Sequence, residues 1–304
     1  MNDQEGKTSS TRVTIEKITN KILYARWFII LKDSLILLAI FVLLLAPILH
    51  LASYIIIDWW EVDYNVFNHP ILHSTRWEML KESLILSFKL AFYATIVDVI
   101  IGTPVAFVLQ KDIPGRRFLD TLVNIPLATP TSALGFATLI FWGTREGVSR
   151  FLGSTTGMFS LDQIIGDNVL GIPPLLLLAH VSFTFPYIVR TLSAVLESID
   201  PAYSEAAQTL GAKSFTRFRT ITLPLMAPGI FAGSILAFTR SLGETGATIV
   251  VAGVFTTAPI LVVEWKAGLL IAPAAFLSII LVGIACVSIF IFRKIMGAAF
   301  ARAV

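Results

Sequence analysis

The chain has 304 residues, of which 56% are hydrophobic and only 14% charged, and its mean hydropathy is +0.80. Soluble domains carry nearer a quarter charged residues, so the composition excludes an ordinary soluble enzyme; the net charge of +3 is small, and nothing points to nucleic acid. The single cysteine, Cys286, excludes an intrachain disulfide framework.

Residues 1–33 open with MNDQEGKTSSTRVTIEKITN, polar and mixed in charge, and read as a cytosolic tail rather than a secretory signal. Six apolar runs follow, at about 34–57, 83–109, 119–142, 172–195, 222–242 and 269–292. Each suits the roughly 20 residues needed to cross about 30 Å of hydrocarbon as a helix. Backbone in lipid must satisfy its own hydrogen bonds, so such runs are helical. The predicted fold is an all-α integral membrane protein with six transmembrane helices, residues 34–304 forming one membrane domain. The stretch 58–80 carries Trp59, Trp60, Tyr64, Phe67 and Trp77, an interfacial aromatic belt or a contact surface for a soluble partner. His69 and His73 sit four apart near Asp58, Glu61 and Asp63, but Pro70 opposes the continuous helix that would align them on a metal. Asp112-Ile113-Pro114-Gly115 is a turn, and Gly153, Gly157, Gly166 and Gly171 mark the loop before the fourth span.

Orientation follows from the Lys and Arg near span ends. With the N-terminus inside, sixteen of the 23 fall in cytoplasmic segments. Arg76, Lys81, Arg145, Arg150, Arg240 and Lys266 fall outside, and Lys89 lies within a span. Both termini are therefore expected in the cytoplasm, together with the polar segment 200–224. Within the spans, Asp98 is expected to pair with a neighbouring helix, Lys89 to snorkel outward, and His180 to hydrogen-bond in the core.

The segment 200–224 is a polar island between the fourth and fifth spans. Asp200 can cap a helix that Pro201 opens. Gly211 suits the left-handed residue that ends it. Ser214 can cap a second short helix carrying Phe215, Arg217, Phe218 and Arg219. The predicted product is a helix-turn-helix on the membrane face. Ala206 and Ala207 permit close approach, Phe215 and Phe218 are candidate anchors in a partner's groove, and Glu205 can meet a partner's cation. The spacing is Glu205-Ala206-Ala207, three residues, Gly211, nine residues, then Ile221-Thr222-Leu223-Pro224.

That spacing resembles the EAA loop of permease subunits in binding-protein-dependent ABC importers. Further similarity runs over residues 83–292: Pro114-Gly115-Arg116-Arg117, Leu119-Asp120, Pro126-Leu127-Ala128-Thr129-Pro130, and Arg240-Ser241-Leu242-Gly243-Glu244-Thr245-Gly246-Ala247. These strings resemble the sulfate, molybdate and tungstate branch, with phosphate permeases next. The resemblance implies the type I importer (MetI-like) fold in a prokaryotic plasma membrane. It implies an import path for an inorganic oxyanion and an EAA loop docked on a separate ABC ATPase. The implied partners are ATPase subunits, an extracellular substrate-binding protein, a second permease subunit (a copy or a paralogue) and membrane lipid. No cofactor, metal or catalytic site is implied, and no GxxxxGK[ST] phosphate loop occurs in the chain. The 58–80 stretch and the N-terminal tail are longer than in compact members, and Phe255-Thr256-Thr257-Ala258-Pro259 departs from the branch pattern.

For the path, two readings of Arg240 stand. Either it lines the outer path and favours a doubly charged oxyanion, or it forms an intrahelical pair with Glu244 that fixes local geometry. Gly243 and Gly246 suit a helix break whose backbone amides face the path, and Glu244, Thr245 and Pro130 are further candidates for lining it. Pro126, Pro130 and Gly135 suggest kinks in the third span. An ion-coupled secondary transporter using Asp98 and Lys89 is the rival class. It predicts two repeats with paired broken helices, and no convincing two-half repeat is visible.

Overall fold

The computed structural model describes residues 26–70, 73–144, 147–148 and 171–301. The tail to residue 25 and the loop glycines 153, 157 and 166 lie outside the described residues. The chain divides at Ile57 into two units. In the first, α1 (Arg26–Ile40) runs through a π-helical turn (Phe41–Leu45) into α2 (Ala46–Ile57). The helix thus begins ahead of the predicted boundary at residue 34. Apolar residues 27–31 favour it, and Lys32 and Asp33 neutralise one another at 3.5 Å rather than stopping it.

In the second unit, the 58–80 stretch is largely helical rather than a loop. Helix α3 (Trp59–Val62) leads through a π turn (Asp63–Phe67) towards α4 (His73–Gln110), which starts ten residues before the predicted span. Phe67 gathers the aromatic belt: its ring lies 6.2 Å from Trp59 and 5.3 Å from Trp77. Then follow α5 (Arg116–Ala128), α6 (Thr131–Thr138) with a π turn (Leu139–Gly143), and α7 (Pro174–Ser198). The chain continues through α8 (Pro201–Thr209), α9 (Ser214–Arg217), a π turn (Phe218–Thr222), α10 (Leu223–Leu242), α11 (Gly246–Val251), α12 (Ala258–Ala267) and α13 (Ile271–Ala301). Among the described residues, five continuous helical runs are long and apolar enough to cross a membrane, and α5 with the α6 run, bent by 110°, supplies a sixth when counted as one span.

The third span's break has one cause. Thr129 precedes Pro130 and is pushed out of the helical region, so both residues are extended (ψ 135° and 131°). Pro126 and Gly135, expected to kink the span as well, lie inside α5 and α6 respectively.

Helices α4, α7 and α10 form the centre. Lipid is as apolar as leucine, so close packing rather than water exclusion must hold them. Ile188 of α7 is fully buried between two glycines. A Cβ on Gly102 of α4 would sit 2.9 Å from Ile188 Cγ2, and one on Gly233 of α10 would sit 3.2 Å from its Cα. Leu109, Leu192, Met226 and Ala237 fill the same cluster. A second cluster joins Leu90 of α4 to Leu175, Leu176 and Ala179 of α7 and Val251 of α11.

Candidate functional site

Two constellations sit at opposite ends of one rod. Helix α9, its π turn and α10 form a continuous run, Ser214–Leu242, of 29 residues. At 1.5 Å per residue it is about 43 Å long. Its first turns form the second limb of the 200–224 elbow. Its last turn carries Arg240.

The elbow's first limb is α8. Asp200 Oδ1 accepts the Ala202 N–H at 2.9 Å, and Pro201 occupies the first helical position, as the sequence predicts. Gly211 ends the limb at φ +81°. Its N–H donates to Gln208 O at 2.9 Å, and the Ala212 N–H reaches back to Ala207 O at 3.0 Å. That pair of bonds is a Schellman turn, which needs a left-handed residue. Ser214 is not the cap of the second limb: Lys213 holds that position, without a side-chain cap, and Ser214 is the first helical residue. Nor is the second limb a separate short helix. Pro224 has no amide for the preceding turn, and the π turn widens the backbone there so the helix runs on into α10.

Glu205 and Ala206 are exposed, and Ala207 is half-buried. Phe215 is 73% exposed, whereas Phe218 is turned inward with its ring 5.8 Å from Phe107 of α4. Phe218 is thus half-buried against the elbow's own domain, whereas Phe215 points outward. The large exposed apolar groups on the elbow are Tyr203, Leu210 and Phe215, with Leu223 at its end. Tyr203 and Leu210 were not singled out in the sequence, because one turn of helix does not reveal which face its neighbours cover. Arg217 was read only as a charge. It reaches Gln208 Oε1 at 3.0 Å, Ser204 Oγ at 3.2 Å and Ser214 Oγ at 3.3 Å.

Beside the elbow, Arg190 of α7 grips α5. Its Nε donates to Asn124 Oδ1 at 2.6 Å, and its terminal nitrogens donate to Asp120 Oδ1 at 2.7 Å and to the Asp120 carbonyl at 3.0 Å. Arg190 and Asp120, with Arg116, Arg117 and Glu197, border a polar cavity of about 820 Å³. The sequence counted Arg190 towards orientation and did not foresee the fork.

At the other end of the rod, α10 stops at Leu242 and Gly243 caps it. Glu244 is buried (3% exposed) and forms an ion pair with Arg240, whose side chain remains 36% exposed. Both readings of Arg240 thus meet in one geometry: it is paired, yet its side chain is partly exposed. Its Cζ also lies 5.3 Å from the Phe183 ring centre. Glu244 Oε1 accepts the Ala247 N–H at 3.0 Å, so the carboxylate caps the start of α11. The break of the third span lies against this one. A Cβ on Gly246 would strike Thr131 Oγ1, and one on Gly135 would lie 2.7 Å from the Ala247 carbonyl oxygen. Pro130 and Gly243 are exposed, Thr245 and Gly246 half-buried. The structure therefore gathers Pro130, Arg240, Gly243, Glu244, Thr245 and Gly246 around two meeting helix breaks.

His180 of α7 ties the break to the core. Its Nδ1 lies 2.7 Å from Ser241 Oγ and its Nε2 2.9 Å from Thr248 Oγ1. Thr248 gives its one hydroxyl proton to the Glu244 carbonyl at 3.0 Å. It must then accept from His180 Nε2–H, which leaves Nδ1 to accept from Ser241. The expected core role of His180 holds, and the bridge between two interrupted helices was not foreseen. Asp98 differs from expectation. It is fully buried in α4, and neither carboxyl oxygen has a hydrogen-bond partner among the described residues. Thr184 beside it spends its hydroxyl on the His180 carbonyl at 2.6 Å. Lys89 is exposed, as snorkelling requires. Among the described residues no group of three His, Cys, Asp or Glu side chains is placed to hold a metal.

Residues 98–302 match the model of the binding-protein-dependent transport system inner membrane component family. The chain belongs to this family. The permease is 34% identical to the probable sulfate transport system permease protein cysT of Chlorella vulgaris, over 60% of this chain and 65% of that one. It is 38% identical to the sulfate transport system permease protein CysT of Salmonella typhimurium, over 54% and 56% respectively. The molybdenum transport system permease protein ModB of Escherichia coli K12 is 34% identical over 59% of this chain and 73% of its own. The permease therefore spans well under two thirds of the Salmonella relative and just under two thirds of the algal one. Among solved structures, a bacterial alginate ABC transporter in complex with a pentasaccharide-bound periplasmic protein aligns at TM-score 0.64 and 15% identity, over 91% of this chain and 94% of that one. The MetNI methionine ABC transporter in inward-facing conformations aligns at TM-score 0.55 and 18% identity, over 73% and 96%. At those identities the likeness establishes the fold, the type I importer permease. The family is one of multi-pass membrane permeases and not of enzymes.

Proposed function

We propose that this permease is the transmembrane subunit of an ATP-driven importer for a tetrahedral oxyanion of the sulfate or molybdate class. The observation that carries the reading is the rod. One unbroken helix joins a solvent-exposed elbow with EAA spacing to the Arg240–Glu244 break. Displacement of Ser214 is carried to Arg240 along one helical run, in which the π turn at Phe218–Thr222 and Pro228 are the points where it can bend. The similarity to sulfate and molybdenum permeases supports the substrate class.

In this mechanism a separate ABC ATPase grips Glu205, Ala206, Ala207 and Phe215 in the cytoplasm, with Gly211 shaping the bend and Phe218 fixing the elbow to α4. Closure of the ATPase pair draws the elbows of two permease subunits together and turns the path outward. An extracellular binding protein then delivers the anion past the half-exposed Arg240. Hydrolysis and release return the path inward, an alternation of rigid bodies. Both termini lie in the cytoplasm, as the charge bias requires.

Uptake of radiolabelled sulfate and molybdate, in cells lacking and then regaining the permease, tests this reading. Restored uptake of one of them, abolished by Glu205→Lys with membrane insertion intact, is the expected result. Normal uptake in Glu205→Lys cells would refute the docking role. Uptake blocked only by excess phosphate would move the substrate to phosphate.

A further inference from the structure

Neither limb of the elbow has a buried residue, so no apolar core sets the angle between them. The hinge is a three-residue turn, Leu210 to Ala212, with a glycine at its centre around which a side chain would meet nothing within 4 Å. Left to the turn alone, α8 would swing on the rod, and force applied to Glu205 would be lost in bending. We propose that Arg217 is the positioning residue that locks the two limbs into one lever, an inference that rests on the docking role of the elbow.

The geometry is that of a clamp. Arg217 stands on the second limb, and one terminal nitrogen donates across the hinge to Gln208 Oε1 and Ser204 Oγ, one turn apart on α8. The other terminal nitrogen takes Ser214 Oγ on its own limb. A planar guanidinium with fixed donors can serve three acceptors on two helices at once. An ammonium, a single point on a flexible stem, cannot hold that plane. The next residue, Phe218, packs on Phe107 of α4. A push on α8 therefore passes through Arg217 into the rod at the point where the rod is pinned to the membrane domain. Hydrogen bonds at a partly exposed surface suit this task. They hold the angle against thermal motion, yet they can re-form at a new angle when a partner binds.

The test uses the full chain with the exposed Cys286 replaced by Ser. Spin labels at Ala206→Cys and Thr216→Cys report the inter-limb distance by double electron–electron resonance. In parallel, the label-free chain is co-expressed with its cognate ATPase, and anion transported per ATP hydrolysed is measured in proteoliposomes. Arg217→Ala and Arg217→Lys should both widen the distance distribution at least about twofold. Both should lower transport per ATP about tenfold while ATP hydrolysis and co-purification persist, a loss within the usual range of coupling energies. Gln208→Ala, which removes one acceptor and leaves Arg217 in place, should give a smaller change in the same direction. It carries both readouts if Arg217→Ala fails to accumulate. An unchanged distribution in Arg217→Ala overturns the clamp, as does a widened distribution with unchanged transport per ATP. Full rescue by Lys also overturns it, since charge alone would then suffice. If the unaltered chain neither co-purifies with the ATPase nor stimulates it, the docking reading fails, and the distance measurement still decides whether Arg217 sets the angle.

Discussion

The two ends of the Ser214–Leu242 rod solve the same problem in opposite ways. Each is an interrupted helix whose second piece must keep a fixed angle to the first. At the membrane end the break is locked by contact. Glycines let backbone touch backbone, and Glu244 and His180 spend their polar atoms on amides and hydroxyls with little water nearby. At the elbow the limbs share no core, and the angle rests on a Schellman turn and one guanidinium. Buried polar networks are costly to disturb, whereas exposed hydrogen bonds are cheap. The difference teaches which end is expected to deform when a partner grips the molecule and which is expected to move as a unit.

The largest effect should come from opening the locked end. Glu244→Ala removes both the ion partner of Arg240 and the acceptor for the Ala247 N–H. Breaking a buried pair costs about 3–5 kcal/mol. With Arg240 partly exposed, the lower end, about 3 kcal/mol, is expected as a fall in thermal midpoint in detergent. Arg240→Ala separates the two readings of that residue. If the partly exposed side chain serves the anion, uptake falls more than stability does. If the pair only holds geometry, the melting temperature drops and uptake per folded transporter is unchanged.

Next in size is Gly135→Ala. The new methyl would lie 2.7 Å from the Ala247 oxygen and 2.8 Å from its Cα, both backbone atoms that cannot rotate away. Overpacking of this kind costs about 1–3 kcal/mol. Loss of uptake together with stability is expected. A neutral result would mean that α6 and α11 slide freely, and the locked end would not be locked.

How much of this was legible before the structure divides along the same line. The spans, the Asp200 cap and the left-handed Gly211 follow from rules that act within a few residues, and the sequence displays them. The Arg240–Glu244 spacing is equally local. What escaped is what other helices decide. Phe215 and Phe218 look alike in sequence, but Phe107, over a hundred residues away in the chain, turns one of them inward. Pro126, Pro130 and Gly135 look like three kinks. Only Pro130 breaks the helix, because Pro126 lies near the end of α5 and Gly135 serves the approach of α11. His180 carried no signal beyond its presence in an apolar run. Its role depends on Ser241 and Thr248 arriving from two other helices. Asp98 was expected to find a partner, and α7 instead presents a threonine already engaged with its own backbone.

At the elbow the expected effects are smaller. Gly211→Ala meets no steric obstacle, so its cost is the left-handed backbone alone, about 1 kcal/mol. The fold should survive and the melting temperature should barely move. Transport per ATP should fall, because the strain relaxes by opening the hinge. A large loss of stability instead would place the elbow among the structural elements and remove the contrast between the two ends.

The smallest effect sharpens the comparison by supplying a second turn of the same kind. Between α12 and α13 the Leu269 N–H donates to Lys266 O at 3.1 Å and the Leu270 N–H to Trp265 O at 2.8 Å, the hydrogen-bond pattern seen at Gly211. Here, however, the left-handed residue is Leu269, at φ +63°, and the available glycine, Gly268, sits one position too early. A leucine there pays about 1–2 kcal/mol in backbone strain. Its side chain is 81% exposed, so its removal forfeits little packing within the subunit. Leu269→Gly relieves the strain but adds freedom to the unfolded chain, which takes back about 0.5–1 kcal/mol. The net expectation is a gain of about 0.5–1 kcal/mol, read as a rise in thermal midpoint, with transport unchanged. If Leu269→Gly stabilises the isolated permease but slows uptake, the exposed leucine is held in its strained pose for contact with another chain. The turn between α12 and α13 would then carry a gripping point of its own, and exposure on a constrained turn, rather than EAA spacing, would be the feature it shares with the elbow.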